Sequence, residues 1–400
     1  MDTTFFTANR QALLDRLKKG ALVVITGYGE MQRTYDSAAR FEQEANFWYL
    51  TGVDSPDWWL VLDGTHGTEW LVEPDMSETQ RIFDGGVSAE QVRAASGIKT
   101  VLTRDEALRR LRALTKHHSM VYTTEQPTGL REHAHFQLNH AQSELKKTLE
   151  RIFQNVQVCN RELAVLRTIK QPSEIAAIEK AIKITAVALD RMKDTLVTAK
   201  YEYELQATLD YEIRRQGAWG HAYDPIVASG QNACTLHYNR NDQKIAKKNL
   251  VLLDVGARVD GYAADISRTY ALSQPTKRQQ AVHDAVREAQ ERIIALLEPG
   301  LMFTKYEEHV EMIMKSALES LGLSTDRYRE YFPHAIGHGL GIDVHDTLAG
   351  YDTLQPGMVL TVEPGIYIPD ESIGVRIEDD ILITDSGNRN LSRSISTSIV

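Results

Sequence analysis

Apolar residues recur at helical spacing in some stretches of the chain and in short runs in others, and the balance between the two patterns shifts along its length. In the first third, helical pieces at Ser77 to Phe83 and Arg104 to Thr115 alternate with β-rich runs at Ala21 to Ile25, Trp58 to Leu62 and Glu69 to Glu73. That alternation predicts a mixed α/β domain. Around Cys159 it gives way to a long amphipathic stretch in which Pro172-Ser173 opens a helix and Ile175, Ile178, Ile182 and Leu189 repeat at helical spacing. Helices are predicted over Ser173 to Thr198, Lys277 to Leu297 and Lys305 to Leu321. Antiparallel strands are predicted over Leu250 to Arg258, Tyr262 to Leu272, Val359 to Ile368 and Val375 to Thr384, joined by turns of Gly, Asp, Pro or Ser. The expected architecture is α+β, with an N-terminal α/β domain over residues 1–159 and a second domain of helices layered on a β-sheet over residues 160–400.

The length, 400 residues, suits two domains and leaves room for a sizeable core in each. A formal charge of −10 repels polyanions overall, so neither nucleic acid nor an anionic membrane is expected as a partner. The start, MDTTFFTANRQALLDRLKKG, carries charges throughout and lacks the apolar region of a signal peptide. Cys159 and Cys234, the only two cysteines, cannot build a secreted disulfide framework, and the cytoplasm is the expected compartment. Trp48, Trp58 and Trp59 leave two readings open, a plain aromatic core or an interface wall.

Charged residues interrupt the apolar strands of the second domain in a repeated way. Asp254 lies inside VLLDVGARV, and Asp265 follows eleven residues later in the returning strand. Glu363 interrupts VLTVEPGIYI, and Glu378 interrupts GVRIEDDILIT fifteen residues on. Carboxylates are almost never fully buried without a partner. A structural account needs a basic partner for each, and Arg268 and Arg376 supply two at most. A divalent metal explains all four at once, because it offsets the mutual repulsion and desolvation that such a cluster suffers.

Histidine supplies the remaining chemistry. In HAIGHGLGIDVH, His334, His338 and His345 stand among Gly337, Gly339 and Gly341, which argue against a helix and let the backbone approach a site closely. His237, in TLHYNRND, is a fourth candidate. Four carboxylates and one imidazole make a mostly oxygen-ligated site able to hold two divalent ions, with Mn, Co or Zn suited to that set. Two such ions deprotonate a shared water and polarise a carbonyl, which is the arrangement of a hydrolase.

These segments, DVGARVDGYAADISRT, HAIGHGLGIDVH, TVEPGIY and GVRIEDD in this order, resemble the five-ligand signature of the pita-bread metallopeptidases, the creatinase/aminopeptidase-like fold. The resemblance runs from about Asn160 onward and includes LRTIKQPSEIAAIEKA. The N-terminal domain is similar to that of the aminopeptidase P and prolidase branch, notably in RFEQEANFWYLTGVDSP. It implies that Asp254, Asp265, His338, Glu363 and Glu378 bind a dinuclear centre, commonly manganese, with Asp265 and Glu378 bridging. It further implies proton transfer by Glu363, stabilisation of the reacting carbonyl by His237 and His345, and a substrate pocket that includes His334, with Arg376 and Tyr223 in support. The implied reaction is release of the residue that precedes proline, by attack of a metal-bridging hydroxide. Homodimers or homotetramers are common in the family.

Proline needs a dedicated site because the bond before it is a tertiary amide and its ring fixes φ. Prolidases, which take only Xaa-Pro dipeptides, often place an arginine shortly after the histidine at position 345. This sequence continues DTLAGYDTLQPG with neither Arg nor Lys before Gly357. The expectation is therefore an open pocket and an Xaa-Pro aminopeptidase acting on peptides with an Xaa-Pro N-terminus. An Xaa-Pro dipeptidase, and a non-catalytic binding module on the same fold, remain as alternatives.

Overall fold

Leu22–Thr26 (β1) reads LVVIT and is buried at all five positions, as a strand flanked on both sides and covered on both faces must be. The computed structural model describes residues 1–126 and 137–399, which fall into two compact units, Met1–Leu166 and Arg167–Val400. In the first unit Gln32–Thr34 (β2) and Ser37–Ala38 (β3) form an exposed hairpin. Trp59–Asp63 (β4), Thr68–Val72 (β5), Val101–Leu102 (β6), Met120–Thr123 (β7) and Asn155–Val158 (β8) join β1 in one sheet of order β6-β5-β4-β1-β7-β8. Strand β4 runs antiparallel to β1 and β5, and the remaining pairs are parallel. Helices Arg104–Leu114 and Ala141–Glu150 cover one face, packing Ala107, Leu111, Leu145 and Leu149 against Leu22, Val24, Val61 and Trp70. The aromatic residues near the start of β4 are core packing. Trp58 is buried, Arg104 lies 3.7 Å over the Trp59 ring, and Trp48 meets Phe6 edge-on.

The second unit contains Gly220–His221 (β9), Ile226–Ser229 (β10), Leu250–Val255 (β11), Ala257–Val259 (β12), Tyr262–Ala263 (β13), Ile266–Ala271 (β14), Val359–Val362 (β15), Gly365–Ile368 (β16), Ile373–Arg376 (β17), Asp379–Thr384 (β18) and Gly387–Asn390 (β19). Their pairings are antiparallel, in sheets β10-β11-β14, β13-β12-β9, β15-β18-β19 and β16-β17. Val282, Val286 and Ile293 of helix Lys277–Ile294 and Val310, Met314 and Leu318 of helix Phe303–Ser320 share a core with Leu360, Ile366, Val375 and Ile381. Helix Pro172–Leu196 buries the stripe of Ile178, Ile182 and Leu189 expected from its spacing, while Ile175 stays half-exposed.

The four continuous strands expected in this unit are corrected to eight short ones. The breaks fall at Gly256, at Ala264-Asp265, at Glu363-Pro364 and at Ile377-Glu378. The pairing register nevertheless passes through each break unshifted: Val255 faces Ile266 and Arg258 faces Ala263, while Val362 faces Asp379 and Gly365 faces Arg376. Glu363 and Glu378 therefore stand opposite one another. At the breaks three backbone amides find partners outside their own hairpin. The Glu378 N–H donates to Ser267 O, the Asp265 N–H to Asp380 Oδ2 and the Glu363 N–H to Ile336 O, at 3.1, 3.2 and 2.9 Å. Those crossed bonds fasten the two hairpins to each other and to the histidine segment, and they satisfy buried amides that the ladders release. Gly256 is required at its break, because a Cβ there would sit 1.7 Å from the Ala264 carbonyl oxygen.

Glu174, in the first turn of helix Pro172–Leu196, gives a prediction away from the site. Its carboxyl accepts from the Gln171 N–H at 2.8 Å and from the Tyr262 hydroxyl at 2.7 Å, and burial pushes it up to about 7. The folded state thus holds this proton more tightly than the unfolded chain, so the associated stability is complete below about pH 4.5 and is lost as pH rises through 7. Glu174→Gln keeps an acceptor for Gln171 and gains a donor for the Tyr262 oxygen. It is expected to melt higher than the parent at pH 8, by up to about 3 kcal/mol of stability, and to lose that advantage by pH 4.5. Thermal melts at the two pH values check it.

Candidate metal centre

Three of the breaks put a carboxylate on one centre, at Asp265, Glu363 and Glu378, and Asp254 joins them from a paired position in β11. Asp254, at the end of β11, accepts from the Tyr223 hydroxyl at 2.5 Å and from Arg376 Nη2 at 2.6 Å. Asp265 lies 2.6 Å from the same hydroxyl and 3.4 Å from His338 Nε2. Glu363 Oε1 is 3.5 Å from His338 Nε2, and Glu378 accepts from the Ser267 hydroxyl at 2.6 Å. Donor atoms of Asp265, His338 and Glu378 lie within 4.8 Å of one another. All five expected ligands are therefore brought together.

The tyrosine hydroxyl has one proton and two carboxylates to serve, so it leaves one of them short of a donor. Burial raises the carboxyls of Asp265, Glu363 and Glu378 above their ordinary range, and the neighbouring carboxylates raise them further; Glu363 reaches about 7. Burial alone would lower His338, but Asp265 and Glu363 override it and lift the imidazole to about 9. Among the described residues Arg376 is the fixed cation paired with this cluster, through Asp254 alone. Arg268, the other basic partner considered above, pairs with Asp379 instead. A set of four crowded carboxylates with one arginine fits divalent cations, because two such ions supply the positive charge that the protein withholds.

The histidines are aimed by their backbone surroundings. His338 Nδ1 meets Gly339 O at 3.0 Å, which leaves Nε2 turned toward the carboxylates. The segment around it runs along β15: the His338 N–H donates to Thr361 Oγ1 at 3.0 Å and the Thr361 N–H to His338 O at 2.9 Å. Gly337 permits this approach, since a Cβ there would fall 2.0 Å from Thr361 O. His345 is exposed and packs its ring edge-on against His338 at 4.2 Å. His334 Nε2 lies 2.9 Å from the Tyr367 hydroxyl, and its Nδ1 is 3.6 Å from Glu363. Burial and the Arg376 charge lower His334 to about 4, so it stays neutral. His237 is exposed and near enough to His334 and His345 to oppose their protonation.

Four further residues that the sequence reading did not single out, Arg167, Lys170, Asp346 and Glu202, hold these histidines in place. Arg167 donates to Asp346 at 2.7 Å, and Lys170 lies 3.4 Å from the other oxygen of the same carboxylate. Asp346 directly follows His345, so this buried ion pair fixes the end of the glycine-rich segment. Glu202, fully buried, accepts from Ser229, Asn232, Tyr238 and the Gln243 N–H, and thereby pins the segment that carries His237. Arg167 and Lys170 stand inside LRTIKQPSE, so a signal for them was present. Glu202 reads as one of the two acids in YEYE, and nothing marks it.

Residues 176–385 match metallopeptidase family M24, and residues 6–122 match the aminopeptidase P N-terminal domain. The chain belongs to family M24. It is 34% identical to the Xaa-Pro aminopeptidase of Escherichia coli K12 over 98% of this chain and 94% of that protein. The structure of E. coli aminopeptidase P with the inhibitor Pro-Leu superimposes with a TM-score of 0.88 at 31% identity, covering 100% of this chain and 97% of that one. Similarity to the Xaa-Pro dipeptidase of Pyrococcus furiosus is 36% but spans only 57% of this chain and 64% of that protein. The family membership fixes the class of the M24 chain, a hydrolase of the metallopeptidase type with the pita-bread fold in its second unit.

Proposed function

We propose that this protein is an Xaa-Pro aminopeptidase, which releases the first residue from peptides with proline in second place. The observation that carries the reading is the convergence of Asp254, Asp265, Glu363 and Glu378 on His338, in a chain similar over nearly its whole length to an Xaa-Pro aminopeptidase. In this reading those five residues hold two divalent ions, manganese in first place and cobalt or zinc as alternatives. When bound, the ions supply an activated water and a polarised scissile carbonyl. Glu363 takes a proton at the carboxylate edge facing His334 and returns one to the departing prolyl nitrogen, which leaves as a secondary amine. His237 and His345 stand at the exposed rim and donate to the carbonyl oxygen as negative charge builds on it. His334, held neutral against Tyr367, lines the substrate pocket. Arg376 and Tyr223 keep Asp254 and Asp265 in register with one another.

The dipeptidase reading is weaker on two grounds: the dipeptidase similarity covers only 57% of this chain, against 98% for the aminopeptidase, and no Arg or Lys stands between His345 and Gly357. The inhibitor Pro-Leu in the E. coli enzyme is what remains after a residue is removed from Xaa-Pro-Leu, which also favours substrates longer than two residues. The test compares Xaa-Pro-Xaa with Xaa-Pro on manganese-loaded protein. We expect kcat/KM for the tripeptide to exceed that for the dipeptide at least about tenfold, a difference of some 1.4 kcal/mol. Preference for the dipeptide reassigns the chain as a prolidase. Absence of hydrolysis, with less than one metal per chain, leaves a binding module.

Self-association into a homodimer or homotetramer is part of the proposal. It is supported by exposed Tyr35 between β2 and β3 and by exposed Ile82 and Phe83, and light scattering of the purified protein tests it. A cytoplasmic location is supported by the two free thiols, Cys159 and Cys234.

A further inference from the structure

A second convergence of metal-ligating side chains lies in the first unit. Asp63 ends β4, His66 stands in the turn to β5, and His117-His118 precede β7, on the far side of β1 in the sheet. Asp63 Oδ2 is 2.7 Å from His66 Nδ1, and Oδ1 is 3.1 Å from His118 Nε2. One donor atom from each of the three residues lies within 4.8 Å of the others. Asp63 and His118 are buried, at 2% and 6% exposure, while His66 opens the cluster to solvent. The His117 ring packs edge-on against His66 at 5.3 Å.

The turn itself needs only part of this. Oδ1 of Asp63 already accepts from the Thr65 and His66 amides at 3.1 and 3.2 Å, which closes the bend after β4. The second carboxylate oxygen and two converging imidazoles are surplus to that task. Two imidazoles and a carboxylate are a common three-residue ligand set for zinc and its neighbours, with the remaining coordination positions filled by water or a further side chain.

We propose that Asp63, His66 and His118 form a transition-metal site in the N-terminal unit, separate from the peptidase centre and independent of the proposed activity. A zinc-class ion there ties the β4–β5 turn to the start of β7 across β1. It stabilises the N-terminal sheet by binding the folded state alone.

The test uses the full-length chain, loaded with zinc, desalted and assayed for metal per chain by mass spectrometry. His66→Ala is the variant of choice because its side chain is on the surface and its loss leaves the core intact. The parent is expected to retain one zinc more than His66→Ala, with Xaa-Pro-Xaa hydrolysis equal in the two. A cobalt difference spectrum, parent minus variant, is expected to show the visible bands of nitrogen and oxygen coordination. The same one-zinc difference is expected in an Asp265→Asn background, where the peptidase centre is impaired. Equal zinc content in parent and His66→Ala, with no zinc-dependent difference in melting temperature, overturns the proposal and leaves the three residues as a hydrogen-bonded brace of the turn.

Discussion

Asparagine in place of Asp265 is expected to yield a protein that folds but barely turns over. Asp265 is the carboxylate through which the cluster is joined, sharing the Tyr223 hydroxyl with Asp254 and facing His338 Nε2. Asparagine keeps the shape and one acceptor but removes the charge that a divalent ion requires, so metal content per chain should fall. Electrophilic activation by metal is worth several kcal/mol, and each 1.36 kcal/mol is tenfold, so kcat/KM should drop on the order of 10³-fold or more. The companion expectation concerns stability. In the metal-free protein Asp265 is repelled by neighbouring carboxylates and penalised by burial. Relieving that repulsion should leave the metal-free variant melting at or above the metal-free parent. A variant that is inactive because it is unfolded shows the opposite, a lower melting temperature with the activity loss, so the two measurements together separate a lost ligand from a lost fold.

The same balance explains what could be read from the sequence. Helices such as Lys277–Ile294 and Phe303–Ser320 were legible to within a few residues, because their buried stripes recur at 3.6-residue spacing regardless of tertiary context. The positions of Asp254, Asp265, Glu363 and Glu378 were legible for the converse reason: a carboxylate in an apolar run contradicts its surroundings, and the contradiction has a chemical purpose. The strand breaks were not. Ile377 and Ala264 look like ordinary strand residues, and what takes them out of a ladder is the partner their neighbours' amides find on another hairpin, a long-range pairing that no local window contains. Glu202 was invisible on similar grounds. An acid near a helix N-terminus is expected for electrostatic reasons alone, and its four partner residues are gathered by the fold from positions 229 to 243.

Arg376→Met is expected to move stability in the other direction from Asp265→Asn. The buried guanidinium donates to Asp254 Oδ2 at 2.6 Å, to the Ser267 hydroxyl at 2.9 Å and to the Tyr367 hydroxyl at 2.9 Å. Methionine fills the volume of the stem but leaves Asp254 buried with no fixed countercharge, and breaking a buried pair from one side costs about 3–5 kcal/mol. The metal-free variant should therefore melt well below the parent, by on the order of 10 °C. Divalent metal offers the carboxylates a replacement charge, so added manganese should recover a larger part of the lost melting temperature in the variant than it adds to the parent. Activity should fall even when metal is restored, by about 10- to 100-fold, since Asp254 is no longer aimed by Arg376 and Tyr367 no longer holds His334 from a fixed position. Arg376→Lys keeps the charge without the three-way fork and should lie between parent and methionine variant in both measurements. Metal-free melts that match across all three proteins would mean that Asp254 draws its countercharge from elsewhere, and the account of Arg376 as the fixed cation of the cluster would have to be abandoned.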